Sequence, residues 1–103
     1  MSSNKSFSTE TSERYSLALF EIAQENSEIE IVEKNIRELL EIYNSDEDLE
    51  NFIKNPTHTI ETQNKTLNLI SEKLNFPKNL KNFFLLLIKK RRIFYVKKIA
   101  DSF

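Results

Sequence analysis

The sequence predicts an all-α fold, a compact bundle of about six helices in a single domain. The chain contains no glycine, although average usage is about 7% and glycine supplies the positive-φ positions of tight hairpins. Apolar residues recur at helical spacing through almost the whole sequence, which is the main signal of amphipathic helices. Asparagine best replaces glycine in the left-handed cap conformation, and it stands at predicted helix ends: Asn26, Asn44, Asn55 and Asn75.

The first three helices follow from apolar spacing and from capping signals. The motif SEIE at residues 27–30 fits a capping box, in which a serine oxygen accepts an orphan amide at a helix start. The motif SDED at residues 45–48 repeats the device, with acids that suit the positive end of the helix dipole. We expect a flexible tail over residues 1–9 and then helices over about 11–26, 29–43 and 46–54.

Prolines predict the starts of the fourth and fifth helices, whereas the boundary between the fifth and sixth helices is undecided. Pro56 must interrupt the chain because it has no amide to donate and disfavours the α conformation at Asn55. Pro77 suits a first helical turn. The sequence KKRR at residues 89–92 contains no breaker, so two helices and one long bent helix both fit it. We expect helices over about 60–74, 78–90 and 92–103.

Composition excludes several classes of protein. The formal net charge of -1 provides no global field to attract nucleic acid or anionic lipid. Without cysteine there is no disulfide framework and no thiolate metal site. The longest apolar run, residues 83–88, is far shorter than the roughly 20 residues of a membrane span. Since the N-terminus also lacks the apolar segment of a secretory signal, we expect a soluble protein that is not exported.

The sequence offers little chemistry, so we expect no catalytic residue, cofactor or metal. His58 is the one imidazole, and it lies in a Pro/Thr turn without a second ligand at a diagnostic spacing. The acidic stretches lack the EF-hand pattern and are explained by capping and solubility. The basic cluster at residues 89–92, with Phe94 and Tyr95 nearby, leaves an all-α RNA-binding module as the alternative function, although a solvated helix end explains it more simply.

The stretch NFFLLLIKKRR at residues 82–92 carries more apolar side chains than one core contact uses. A helical wheel of 100° per residue places Leu85 and Leu86 outside the core face of helix five, and it places Leu17 and Phe20 outside that of helix one. Helix five is either central, with neighbours on several sides, or lines a groove for an amphipathic partner helix, and the two readings are compatible. The predicted core face comprises Leu80, Phe84, Leu87 and Ile88, with Phe83 at its margin.

Three segments together resemble the δ subunit of F-type ATP synthases, the bacterial counterpart of the mitochondrial oligomycin-sensitivity-conferring protein. RYSLALFEIAQE at residues 14–25 resembles the opening helix of that family, with Ser16 at the usual alanine. FIKNPTHTIETQNKTLNLI at residues 52–70 is similar to its middle signature, including Lys65. NFFLLLIKKRRIFYVKKIADSF at residues 82–103 resembles its later pattern, with Arg91 where many members place a turn former.

The resemblance implies a six-helix N-terminal domain over residues 10–103 and a non-catalytic stator adaptor. In that family this domain binds the amphipathic N-terminal helix of an α subunit between helices one and five, and a C-terminal part engages the peripheral stalk. Neither nucleic acid nor membrane insertion is expected, and the implied location is the cytoplasmic face of the bacterial inner membrane. The implied partner-binding residues are Leu17, Ala18 and Glu21 on helix one and Phe83, Leu86 and Lys90 on helix five.

Overall fold

The computed structural model describes residues 7–103, and these form six α-helices without a strand. The predicted all-α bundle is therefore confirmed. Helix one starts at residue 7 rather than near residue 11, so residues 7–9 of the predicted tail are helical, while residues 1–6 lie outside the described part. The elements are α1 (Phe7–Glu25), α2 (Ile29–Ser45), α3 (Glu47–Lys54), α4 (Ile60–Leu74), α5 (Lys78–Lys89), a 3₁₀ turn (Ile93–Tyr95) and α6 (Val96–Ser102).

Helix α5 packs against both α1 and α4. Its predicted core face is confirmed, because Leu80, Phe84, Leu87 and Ile88 are all buried. Burial of such side chains removes apolar surface from water at about 25 cal/mol per Å². Residues of the other helices complete the core around α5: Leu19, Ala23, Val32, Ile36, Leu39, Tyr43, Leu49, Ile53, Leu67, Ile93, Tyr95, Val96 and Ile99.

Three helices end in a left-handed residue although the chain has no glycine. These residues are Ser27 after α1, Asn75 after α4 and Arg91 after α5, with φ of 57°, 57° and 58°. The amide that follows each one donates back to a carbonyl in the last turn, as from Glu28 N to Ala23 O at 2.7 Å. This is the Schellman arrangement, which satisfies carbonyls that the helix itself leaves without donors. Among the predicted asparagine caps, only Asn75 has the left-handed conformation.

The boundary between α5 and α6 is a real break. Arg91 adopts the left-handed conformation, and the Arg92 amide donates to the Leu87 carbonyl at 2.7 Å. The Arg91 guanidinium then donates to the His58 carbonyl oxygen at 2.9 Å, which ties this turn to the loop before α4. Two helices therefore replace the alternative of one long bent helix, because backbone closure at the turn is combined with a long-range side-chain contact.

Both predicted capping boxes are wrong in their first residue. Ser27 terminates α1 instead of starting α2, and the N-cap residue of α2 is Glu28, which makes no side-chain cap hydrogen bond. At α3 the N-cap is Asp46, whose carboxylate accepts from the amides of Asp48 and Leu49. The Ser45 hydroxyl donates backward, to the Glu41 carbonyl at 2.7 Å. The structure thus uses aspartate in place of the predicted serine, as N-cap preferences allow.

Candidate functional site

Helices α1 and α5 lie side by side and run in opposite directions. About midway along α1, the Tyr15 ring meets the Phe83 ring edge-on, with centroids 6.2 Å apart. Beyond the end of α1, the Glu28 carboxylate accepts a hydrogen bond of 3.1 Å from the Asn79 amide. Because positions increase along α1 while they decrease along α5, the pair is antiparallel. The exposed strip between the two helices is called the α1–α5 surface below.

The α5 side of the α1–α5 surface consists of Phe83, Leu86 and Lys90. Phe83 is only 5% exposed, so it lies in the core beneath the surface and not at the predicted margin. Leu86, about 60° further round the helix, is 42% exposed. Lys90 is exposed at the C-cap of α5. Of the three residues predicted on helix five, Phe83 is therefore buried beneath the surface, whereas Leu86 and Lys90 are exposed on it.

The α1 side of the surface contains two of the three residues predicted on helix one. Ala18 and Glu21 lie about 60° and 120° from Tyr15 in the same sense of rotation, Ala18 half-buried and Glu21 exposed. Ile22, about 20° from Tyr15, is half-buried as well, although its spacing placed it on the core face. Leu17 lies about 160° from Tyr15 and is 60% exposed, so the structure does not bring it to this surface.

A polar contact between α1 and the turn after α5 closes one end of the surface. The Arg92 guanidinium donates to the Tyr15 hydroxyl at 2.6 Å, and its central carbon lies 5.8 Å from the Tyr15 ring centroid. Sequence reasoning missed both this pair and the pair of Asn79 with Glu28. Neither has a local signal, because the partners of each pair are 77 and 51 residues apart.

The opposite flank of α5 has a different character. A shallow depression between α4 and α5 is lined mainly by polar side chains, and Phe76 and Leu85 are its partly buried apolar members. Leu85 lies about 160° from Phe83 and therefore faces away from α1. The polar residues that line the depression are Asn64, Asn68, Ser71, Glu72, Asn75, Lys78, Lys81 and Asn82.

The basic cluster at residues 89–92 is divided by the fold. Lys89 and Lys90 are exposed, whereas Arg91 donates to the His58 carbonyl and to Gln63. Arg92 is committed to Tyr15. The two arginines therefore serve internal contacts, and the four cations do not form one continuous basic patch.

Other chemistry is sparse in the described part of the chain. His58 is half-buried, with its ring centroid 4.7 Å from that of Phe52. Within residues 7–103, no group of histidine, aspartate and glutamate side chains is arranged to hold a metal ion. No helix of these residues is long and apolar enough to cross a bilayer.

Fold and surface together define an all-helical domain with an apolar strip between two antiparallel helices. The profile of the ATP synthase delta (OSCP) subunit family matches residues 11–103. The chain belongs to this family.

Individual relatives agree with the family profile. ATP synthase subunit delta of Pelagibacter ubique is 42% identical over 103 residues, which are all of this chain and 56% of the relative. The subunit delta of Beijerinckia indica is 39% identical over 90 residues, 87% of this chain and 47% of the relative. That of Gloeothece citriformis is 33% identical over 98 residues, 95% of this chain and 53% of the relative. The chain thus spans about half the length of the curated relatives it matches.

Proposed function

We propose that residues 10–103 are the N-terminal domain of an ATP synthase delta subunit and act as a non-catalytic stator adaptor. The domain binds the amphipathic N-terminal helix of an α subunit on the α1–α5 surface. The observation that carries this proposal is the position of Leu86, which is 42% exposed on the flank of α5 that faces α1. Membership of the delta family supplies the complex in which the contact is made.

The shape of the surface suits a helix better than it suits a small ligand. Leu86 is exposed beside buried Phe83, and half-buried Ala18 and Ile22 lie across from it on α1. Recognition of an amphipathic helix uses an apolar strip of this kind, filled by side chains at helical spacing. A single exposed leucine needs no explanation, but one that borders other apolar side chains provides an anchor for a partner.

Such an attachment has a mechanical role that requires no catalysis. Rotation inside the catalytic head exerts torque on its stationary ring, and a stator must hold the ring in place. Apolar anchors supply most of the energy of a protein interface, while charges at its rim set register and suppress wrong partners. We place the domain on the cytoplasmic face of the bacterial inner membrane, and we assign contact with the peripheral stalk to the other half of a delta subunit.

A matched pair of leucine variants tests the docking surface. Leu86→Asp places a charge in the proposed interface, and Leu69→Asp places the same charge on α4, at a leucine that is 68% exposed. We expect Leu86→Asp to weaken binding of a synthetic α-subunit N-terminal helix by at least about tenfold, the scale of a lost anchor. Leu69→Asp should bind like the unmodified chain. Isothermal titration calorimetry measures both, and circular dichroism checks that both variants are folded.

The same pair distinguishes the ways in which the proposal is wrong. Full binding by a folded Leu86→Asp variant would mean that the partner contacts another surface. Equal losses in both variants would mean that added negative charge, and not the position of Leu86, weakens binding. Binding of RNA that weakens steeply with salt, without binding of the helix, would favour the alternative, an RNA-binding module that uses the basic cluster at residues 89–92.

A further inference from the structure

Phe94 is an exposed aromatic side chain outside the α1–α5 surface. It belongs to the 3₁₀ turn between α5 and α6, where its neighbours Ile93 and Tyr95 are buried while Phe94 itself is 50% exposed. Its ring lies against that of Tyr95, with centroids 4.3 Å apart. A ring that is already held by a buried neighbour loses little conformational freedom when a partner covers it, so Phe94 is suited to a contact with another molecule.

Two depressions meet at Phe94, and together with this residue they are called the Phe94 surface below. The smaller one, of about 80 Å³, has an apolar lining from Ile53, Pro56, Ile93 and Phe94. A cavity of about 150 Å³ admits benzene, so the smaller depression has room for a short aliphatic side chain and less than an aromatic ring needs. The larger depression, of about 460 Å³, is more open and lies between α3, the 3₁₀ turn and α6.

The larger depression is lined by cations. Lys54 of α3 and Lys97 and Lys98 of α6 lie along it, and Glu50 is the one carboxylate among the described residues that line it. Lys54 pairs with Glu50 at 2.7 Å, and Lys97 pairs with Asp101 at 2.8 Å. Exposed ion pairs of this kind contribute little to stability, so both lysines can turn to a carboxylate of a partner. The depression is therefore positive in a chain whose formal net charge is -1.

The apolar and the cationic parts of the surface adjoin each other. Lys54 lines both depressions, and Arg91 lines the smaller one. We infer that the Phe94 surface binds an acidic segment of a partner protein, in which one aliphatic side chain enters the smaller depression and neighbouring carboxylates pair with Lys54 and Lys97. An apolar anchor supplies most of the energy of such a contact, and complementary charge selects the partner. The inference goes beyond the proposed function, because this surface is formed by α3 and α6 and not by α1 and α5.

The observations favour an acidic peptide over single-stranded RNA. Proteins that bind single strands combine cations with several aromatic rings on which successive bases stack. Here only one of three neighbouring aromatic residues is available for stacking, since Tyr43 and Tyr95 are buried beside Phe94. The smaller depression also has less room than a nucleobase needs. Binding of RNA is therefore an outcome that the experiment has to separate from binding of a peptide.

Three short synthetic peptides test the inferred chemistry on the whole chain. The first has one leucine followed by aspartates and glutamates, the second has lysines in place of the acids, and the third has serine in place of the leucine. We expect the first peptide to shift the backbone amide resonances of residues 93–98 and the second to leave them unchanged. The third should bind roughly tenfold more weakly than the first, the scale of a lost apolar anchor. Binding of the first should weaken as salt screens the charges.

Two variants with matched controls test the surface itself. Phe94→Ala should weaken binding of the first peptide roughly tenfold, whereas Leu69→Ala, at an exposed leucine of α4, should not. Lys54→Glu should weaken it by at least as much. Lys65→Glu is the control, because Lys65 also pairs with a glutamate four residues before it. Isothermal titration calorimetry measures all four affinities, and circular dichroism checks the fold. If Lys54→Glu does not fold, Phe94→Ala and its control decide the result.

The contrary outcomes are distinct. An unchanged spectrum with the first peptide would show that the surface does not bind acidic segments. Equal losses in Lys54→Glu and Lys65→Glu would show that binding follows net charge and not this surface. Shifts of the same resonances by RNA, without shifts by the first peptide, would make the surface a nucleic-acid site and overturn the inference. Binding of the α-subunit helix is measured separately with Leu86→Asp, so failure of the proposed function leaves this test unaffected.

Discussion

The two flanks of α5 differ in what they leave exposed. Toward α4, the depression is mainly polar and contains Asn64, and its two apolar members, Phe76 and Leu85, are half-buried. Toward α1, Leu86 is exposed beside the buried ring of Phe83. One helix thus has a mainly polar flank and an apolar flank. The comparison shows that apolar excess on a helix is interpretable only once the neighbour on each side is known.

The largest expected effect on the free energy of unfolding distinguishes the buried residue of the apolar flank, Phe83, from the exposed one, Leu86. Phe83→Ala should lower the free energy of unfolding by about 3 kcal/mol, because it leaves a cavity under both helices. Leu86→Ala, one turn further, should change it by no more than about 0.5 kcal/mol. Urea denaturation followed by circular dichroism measures both values. Similar losses for the two variants would show that Leu86 belongs to the core and that the flank is closed.

A smaller effect contrasts polar side chains on the two flanks. Tyr15→Phe removes the hydroxyl that accepts from Arg92 and should lower the free energy of unfolding by about 1.5 kcal/mol, the lower end of the range for a hydrogen bond to a charged group. The Asn64 amide oxygen is buried and accepts no hydrogen bond from the described residues. Asn64→Ala should therefore be nearly neutral. A greater loss from Asn64→Ala than from Tyr15→Phe would contradict the assigned contacts.

The smallest effect concerns the helix ends that border each flank. Ser27→Gly, after α1, should raise the unfolding free energy by about 1 kcal/mol, because serine is strained at φ of 57° and glycine is not. Asn75→Gly, after α4, should raise it by about half as much, since asparagine tolerates this conformation better. Thermal denaturation of the two variants tests the order. The opposite order would indicate that the Ser27 side chain makes a stabilising contact.

Much of the fold is predictable from local spacing. The core face of α5 is correct because Leu80, Phe84, Leu87 and Ile88 repeat at the helical period, and any packed helix must bury such a stripe. Asn55 ends α3 as expected, since Pro56 restricts it. The capping boxes are wrong because a serine between two helices can end one or begin the next, and sequence spacing does not distinguish these roles at Ser27.

The candidate surface is predictable only in part. Exposure of Leu86 follows from its angle on α5, but burial of Phe83 depends on the Tyr15 ring that α1 brings against it. Leu17 is as apolar as Leu86, yet it lies on the side of α1 turned away from Tyr15. Partner contact at the six candidate residues stays a prediction, for which the leucine variants provide the measurement.

The sequence by itself determined the all-α class and the core face of α5, because these depend on propensity and periodicity within about one helix length. Only the tertiary structure decided the break at Arg91 and the pairs of Arg92 with Tyr15 and of Asn79 with Glu28. Those features join residues far apart in the chain, and their geometry exists only after α1 and α5 have packed.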